Sequence, residues 1–218
     1  KLPGPNYRKN EYKSSPLSEW GQRITRSLKS FTSPSQSLRT KVEIQSEQIA
    51  ALSHQLSKEK KRTLQLNLLA ELSHQLDTQL DQFVAAQLAV NTLQRALECK
   101  HVAIFENEIE RREFSIMSLA GNFLPTGYRQ SSSQGLLGRT LRFRKTQVAN
   151  DTKLDPDFIQ PETSHALSAF AVPLVYHGHV KAILEVGDDK ANVFSSHDVH
   201  LAEMVAAELI RAWERSSY

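Results

Sequence analysis

From Leu38 onward apolar residues return every seven positions, with Val42, Ile49, Leu56 and Thr63 on one seam and Leu38, Gln45, Leu52, Glu59 and Leu66 on the other. No proline or glycine interrupts residues 35–119. A lone helix would leave Leu38, Val42, Ile49, Leu52, Leu56 and Leu66 in water. The stripe is buried best against a second copy, which predicts a parallel two-stranded coiled coil over 38–66 and a homodimer. Gln45, Glu59 and Thr63 weaken that seam while helping to fix its register. After Leu66 the phase slips: the apolar positions become Leu69, Leu72, Leu76, Leu80 and Phe83, so the stripe turns toward a different surface. One element that packs two ways is a natural place to couple a coil to a folded domain.

The rest of the chain changes period repeatedly. Residues 83–98 read as a second amphipathic helix through Phe83, Leu88, Val90, Leu93 and Leu97. Strand-like runs at 102–105 and 114–119 flank the charged connection 106–113. A short helix is expected near Gly135 and Gly138, and a brief strand at Val148-Ala149 precedes the turn Asn150-Asp151-Thr152. Strands at 169–176 and 180–186 bracket His177-Gly178. In the second, Val180, Ala182, Leu184 and Val186 alternate with polar Lys181 and Glu185, which predicts a sheet with one well-buried face. Ser195 and Asp198 form a capping box ahead of a last helix that reaches Trp213.

At 218 residues the chain is long enough for one ordinary domain and an appendage, and 39% hydrophobic content suits a chain whose leader stays outside a core. Residues 1–41 carry net +7, leaving −4 for the remainder, so the basic character belongs to the leader and argues against a nucleic-acid-binding domain. Pro3, Pro5, Pro16 and Pro34 among many serines make 1–37 a solvated linker or a juxtamembrane stretch lying against anionic lipid. No run approaches the ~18 apolar residues of a membrane span. The single cysteine, Cys99, excludes an intramolecular disulfide and a four-thiolate metal site and agrees with a cytoplasmic setting. With no initiator Met at Lys1, the sequence reads as a piece of a longer protein.

Several segments together resemble the GAF domain, a small α+β sensor fold. Residues 68–76 with Leu80-Asp81 look like its opening helix, Gly135-Leu136-Leu137-Gly138 its glycine-marked helix, and Val148-Ala149-Asn150-Asp151 followed by Asp155-Pro156 its short strand and turn. Ala171-Val172-Pro173-Leu174, Gly178 and Ile183-Leu184 are similar to its strand, turn and return strand, with Ala182 where glycine is usual. Phe194 and Asp198 match the element before its last helix. The resemblance implies an α+β domain over 67–215, an antiparallel sheet flanked by helices, mounted after the long coiled-coil helix.

It also implies function. The expectation is a regulatory module of a bacterial-type signalling protein, a histidine kinase or diguanylate cyclase, binding a small ligand or relaying a signal through the dimeric coil in the cytoplasm, free or membrane-anchored. Phe123, Tyr128, Arg129, Asp151, Phe158, His165 and Phe170 fall in segments that line the pocket in the family and are the candidate ligand-binding residues. A structural dimerisation module whose pocket is filled by Phe158 and Phe170 is the alternative. Gly187-Asp188 and Asp198-Val199 depart from the Asn-Lys and Asp-Glu pairs of cyclic-nucleotide binders, and Cys99 lies away from the bilin attachment region. Free methionine sulfoxide reduction needs a second thiol. Residues 73–80 look like a phosphoacceptor box around His74, but Gln75 and Gln79 stand where an acid and a proline are expected. His177, His179, His197 and His200 read as scattered surface histidines rather than a metal site, and Arg139, Arg142, Arg144 and Lys145 as a solvated face. No hydrolase elbow, phosphate loop or carboxylate pair supplies catalytic residues, and no particular cofactor is implied.

Overall fold

A computed structural model describes residues 34–79, 81–125, 127–161 and 163–216. The linker reading of 1–37 lies outside them through residue 33, as does Leu80 in the predicted stripe. Helix α1 runs Pro34–Asp77, and α2, Gln82–Leu97, follows after a short turn. Asp81 starts α2, its Oδ1 accepting the Phe83 and Val84 N–H groups at 2.8 and 3.2 Å, so two otherwise orphaned donors are satisfied. The chain divides into two compact units, Lys1–Glu59 and Lys60–Tyr218.

In the first unit the heptad residues are bare: Leu38, Val42, Ile49, Leu52 and Leu56 are 57 to 67% exposed. The second unit holds the sheet, whose strands are β1 (His101–Glu108), β2 (Glu113–Gly121), β3 (Arg129–Ser131), β4 (Gln147–Ala149), β5 (Ser168–Tyr176) and β6 (His179–Asp188), with α3 (Gly135–Phe143) between β3 and β4 and α4 (Ser196–Ser216) closing the chain. All neighbours are antiparallel in the order β3-β2-β1-β6-β5-β4. Strand β3 is too short and polar to have shown in the pattern. The β5–β6 hairpin turns on His177 and Gly178, both at positive φ (47° and 80°), the geometry of a tight two-residue turn.

Alternation sorts the strands between two cores. Val102 and Ile104 of β1, Phe170, Val172 and Leu174 of β5, and Ala182, Leu184 and Val186 of β6 face a layer made by Leu69, Leu72 and Leu76 of α1, helix α2 and helix α4. Ala103, Phe105, Ala169, Ala171 and Ile183 face Leu136 and Leu137 of α3 on the other side. The expectation of one well-buried face is therefore corrected: Ile183 is fully buried on the second face, because α3 and the connections around it cover that side as well. Phe83 also departs from the predicted stripe. It is 62% exposed, since the new helix begun at Asp81 turns Ala85, Ala86, Ala89 and Val90 inward instead. Within α3, a Cβ on Gly138 would meet the Ser133 carbonyl carbon at 2.6 Å, so the second glycine of Gly-Leu-Leu-Gly permits a close backbone approach. The capping box forms as read: the Ser195 N–H donates to Asp198 Oδ2 at 2.9 Å and the Asp198 N–H to Ser195 Oγ at 3.3 Å.

Candidate functional site

The α3 side of the sheet is not sealed by regular structure throughout. Residues 122–128 and the crossover 150–167 lie over the ends of β1 and β6, tied to each other where Thr163 Oγ1 donates to the Phe123 carbonyl at 3.1 Å. The crossover is anchored to the sheet by Leu167 N–H on Asp188 O (2.7 Å), and its two ends are tied to each other by Thr152 Oγ1 on Ala166 O (2.8 Å). Arg139 of α3 holds its far end with a bidentate bond to Asp155 at 2.7 and 2.9 Å and a contact to Asp157 at 3.3 Å.

Under this cover lies a cavity of about 20 Å³, room for one water-sized group, lined by His101, Phe123, Tyr128, Phe158, Ile159 and Glu185 among others. Its small walls are Ala166, Ala169 and Gly187. His101 pairs with Gly187 and Ala103 with Glu185 in the β1–β6 register, which puts the imidazole and the carboxylate on one face two residues apart. His101 Nε2 stands 4.0 Å from Glu185 Oε2, beyond hydrogen-bond reach. His101 is 3% exposed, and neither ring nitrogen has a hydrogen-bond partner. Its ring stacks on Phe123 with centroids 5.7 Å apart.

Burial governs the charge state here. It pushes His101 down to about 4 and Glu185 up to about 7, so between those values both side chains are mainly neutral. Burial, with the Glu185 charge beside it, raises the Tyr128 phenol to about 12 and keeps it neutral, while its hydroxyl donates to Gln130 Oε1 at 3.1 Å. Among the described residues no lysine or arginine lines the cavity.

Of the residues expected in the pocket, Phe123, Tyr128 and Phe158 line the cavity. The other four lie away from it. Phe170 points through the sheet into the helical core, edge-on to Phe194 at 5.0 Å, because odd and even positions of β5 face opposite sides. Arg129 sits on the sheet edge, bonded to Glu108 at 2.9 Å and near Glu113 at 3.5 Å. Asp151 borders a separate shallow depression with Asn150 and Leu154, and accepts the Lys153 N–H at 3.0 Å. His165 is exposed. His101 and Glu185 escaped the sequence reading because a strand-end histidine and an alternating glutamate look like solvent-facing positions until a crossover is laid over them.

A larger groove of about 710 Å³ runs beside α4 and β5, lined by Val172, Pro173, Ala206 and Ile210 with Arg144, Arg211, Glu203 and Glu214 on its rim. It is open to solvent, and no unpartnered buried polar group faces it. Cys99 is buried between α2 and β1, its thiol raised to about 12 chiefly by that burial. Of the four histidines considered for metal, His197 bonds Gln65 at 3.1 Å and His200 lies 3.7 Å from Glu203; among the described residues no three metal-ligating groups converge. Of the basic set, Arg139 is taken by the Asp155 clamp rather than a solvated face, and Arg144 donates to the Gly178 carbonyl at 3.2 Å. His74 is exposed on α1. No helix among the described residues is long and apolar enough to cross a membrane.

This layering, an antiparallel six-stranded sheet with α1, α2 and α4 on one face and α3 with a crossover over a small cavity on the other, defines a two-faced α+β domain. Residues 84–213 match the model of the GAF domain family, and the chain belongs to that family. Solved structures agree on the fold. A free methionine-R-sulfoxide reductase from Neisseria meningitidis, in complex with its substrate, superposes with a TM-score of 0.65 at 18% identity, over 70% of this chain and 90% of that one. The GAF domain of an Acinetobacter phosphoenolpyruvate-protein phosphotransferase gives 0.63 at 17%, over 70% and 94%. Residues 122 to 287 of a methyl-accepting chemotaxis protein give 0.60 at 19%, over 67% and 96%. No curated protein matches in sequence.

Proposed function

We propose that this chain is the sensory and regulatory GAF module of a bacterial-type signal-transduction protein, a histidine kinase or diguanylate cyclase, that binds a small ligand beneath the 150–167 crossover. The observation that carries the reading is the buried His101, neither of whose ring nitrogens has a partner, beside the half-buried carboxylate of Glu185. Leaving such atoms unsatisfied costs about 1–3 kcal/mol each, and sites of that kind concentrate where a ligand completes the bonding. The module acts as a homodimer through Leu38, Val42, Ile49, Leu52, Leu56 and Leu66, on the cytoplasmic side, with its basic leader near anionic lipid. Ligand occupancy shifts how the sheet, α2 and α4 pack on Leu69, Leu72 and Leu76, residues carried by the same helix as the heptads.

The occluded alternative is favoured by the volume of about 20 Å³, which makes this conformation a closed one. Sulfoxide reduction, the activity of the Neisseria protein, draws no support from Cys99: the thiol is buried, its thiolate is suppressed, and the sequence offers no second cysteine to resolve a sulfenic acid. Native mass spectrometry with thermal-shift screening of metabolites tests the reading. A dimer whose melting moves with at least one ligand supports it, and a dimer indifferent to every compound establishes the structural role instead.

A further inference from the structure

The cavity's chemistry narrows its ligand. Among the described residues that line it, Glu185 is the one that can carry a full charge near neutral pH, and none is a lysine or arginine that could meet an anion. A nucleotide phosphate or a lone carboxylate would be desolvated against Glu185 with nothing to pair it. Phe123, Tyr128 and Phe158 turn aromatic surface toward the same space, and ring faces attract cations. The neutral His101 ring offers one bare acceptor nitrogen beside the carboxylate.

Distance selects among cations. Two acceptors 4.0 Å apart can both be reached by one nitrogen sitting ~2.9 Å from each, provided it carries at least two N–H bonds. A quaternary ammonium has none. A metal ion would find only these two ligands, since no third histidine, cysteine, aspartate or glutamate converges there among the described residues. The volume of about 20 Å³ admits one such polar head, and the rest of a ligand must displace the half-exposed Phe158 and Ile159.

We propose that the cavity receives a protonated primary amine, its ammonium nitrogen bridging the Glu185 carboxylate and the His101 imidazole, with the remainder of the ligand lying where the Phe158–Ile159 cover now sits. The proposal rests on the regulatory ligand-binding reading above and specifies its ligand class. Among the described residues, Glu185 shares the cavity wall with His101 from β1, Tyr128 just before β3, Gln130 in β3, Ala169 from β5 and Ser164 from the crossover, none of them cationic near neutrality.

Calorimetric titration of the full chain at pH 8 with phenethylamine and ethanolamine, against 2-phenylethanol, ethylene glycol and phenylacetate, tests it. The amines are expected to bind saturably and the uncharged or anionic counterparts at least tenfold more weakly. Glu185→Gln is expected to lose that preference with its circular dichroism unchanged. Lowering the wild type from pH 8 to pH 6 gives a check free of mutation: the amines stay protonated while Glu185, with a value of about 7, becomes mostly neutral, so affinity should fall roughly tenfold. Equal binding of amine and alcohol, amine binding that survives Glu185→Gln, or affinity indifferent to pH overturns the amine assignment and leaves a ligand site of another class. Absence of binding by every probe, in the wild type and in a Phe158→Ala variant that opens the cover, overturns both the assignment and the ligand-binding reading.

Discussion

Gln65 and His197, 132 positions apart, share a hydrogen bond of 3.1 Å that roots α1 in the second unit. Gln65 is 2% exposed, and its Nε2 donates to the Ala96 carbonyl at 3.1 Å. Ala96 lies in the last turn of α2, where carbonyls have no helical partner, so the amide satisfies an otherwise orphaned acceptor. With Nε2 committed to Ala96, the Oε1 must accept, and His197 Nε2 carries the donated proton. Gln65→Ala is expected to cost about 1–3 kcal/mol in urea unfolding. A double-mutant cycle with His197→Ala should return a coupling of about 0.5–1.5 kcal/mol. Additive losses would show that the two side chains do not act together.

The clamp between Arg139 and Asp155 makes a second prediction. Both side chains are largely buried, 15 and 10% exposed, and the Arg139 hydrogen bonds hold the Asp155 carboxyl below its ordinary value. A depressed carboxylate stabilises the fold above its unfolded value and loses that contribution as pH falls through the folded one. Asp155→Ala should therefore destabilise by about 1–3 kcal/mol at pH 7 and by progressively less in strong acid. Because the clamp fixes the crossover, amide exchange at 152–160 should quicken more than exchange in β1. Uniform acceleration would mean that the clamp stabilises the whole domain rather than the cover.

The fold was largely legible because its elements carry strong local signals. The apolar run of β5, the alternating pattern of β6, the His177-Gly178 turn and the Ser195/Asp198 box each form where their chemistry places them. What stayed hidden depends on contacts distant in sequence. Phe170 looks like a pocket residue until β5 register assigns it to the helical side, and Glu185 looks solvent-facing until residues from 122–128 and 150–167 roof it over. Gln65 carries no sign in its own neighbourhood that a helix end and a histidine await it. Asp81, by contrast, could have been seen as a helix start, and with it the outward turn of Phe83.

The heptad residues predict assembly. Ile49 and Leu52 are 67 and 64% exposed within the first unit, more apolar surface than a solitary helix retains at no cost. Replacing both, Ile49→Asp with Leu52→Asp, should convert a dimer into a monomer in sedimentation velocity at micromolar concentration while thermal unfolding of Lys60–Tyr218 stays within a few degrees of wild type. A wild type that sediments as a monomer would remove the coil from the proposal.

Cys99 should be nearly inert while the domain is folded. With its thiol raised from an ordinary 9.0 to about 12, the thiolate fraction at pH 8 is lower by roughly a thousandfold, and access is blocked by burial. Ellman's reagent is expected to react slowly with native protein and rapidly after addition of guanidinium. Fast native labelling would expose a working thiol and restore thiol chemistry to consideration.

Glu185 and His101 shape the pH profile of stability in opposite senses. Glu185 is raised from 4.5 to about 7, so the folded state holds an extra proton between those values, and stability from this group is lost as pH rises through that window. His101 is lowered from 6.5 to about 4, so its contribution grows as pH rises from about 4 to 6.5. The two slopes oppose each other from about 4.5 to 6.5, and the wild type should show little pH dependence from this pair there. Glu185→Gln removes one slope and leaves the other. Its stability relative to wild type should therefore climb by about 3 kcal/mol between pH 4.5 and pH 7.5, the equivalent of a shift of about 2.5 pH units. Chemical denaturation at four pH values measures that difference directly. A constant offset across the range would place Glu185 in water, and with it would go the buried carboxylate on which amine recognition depends.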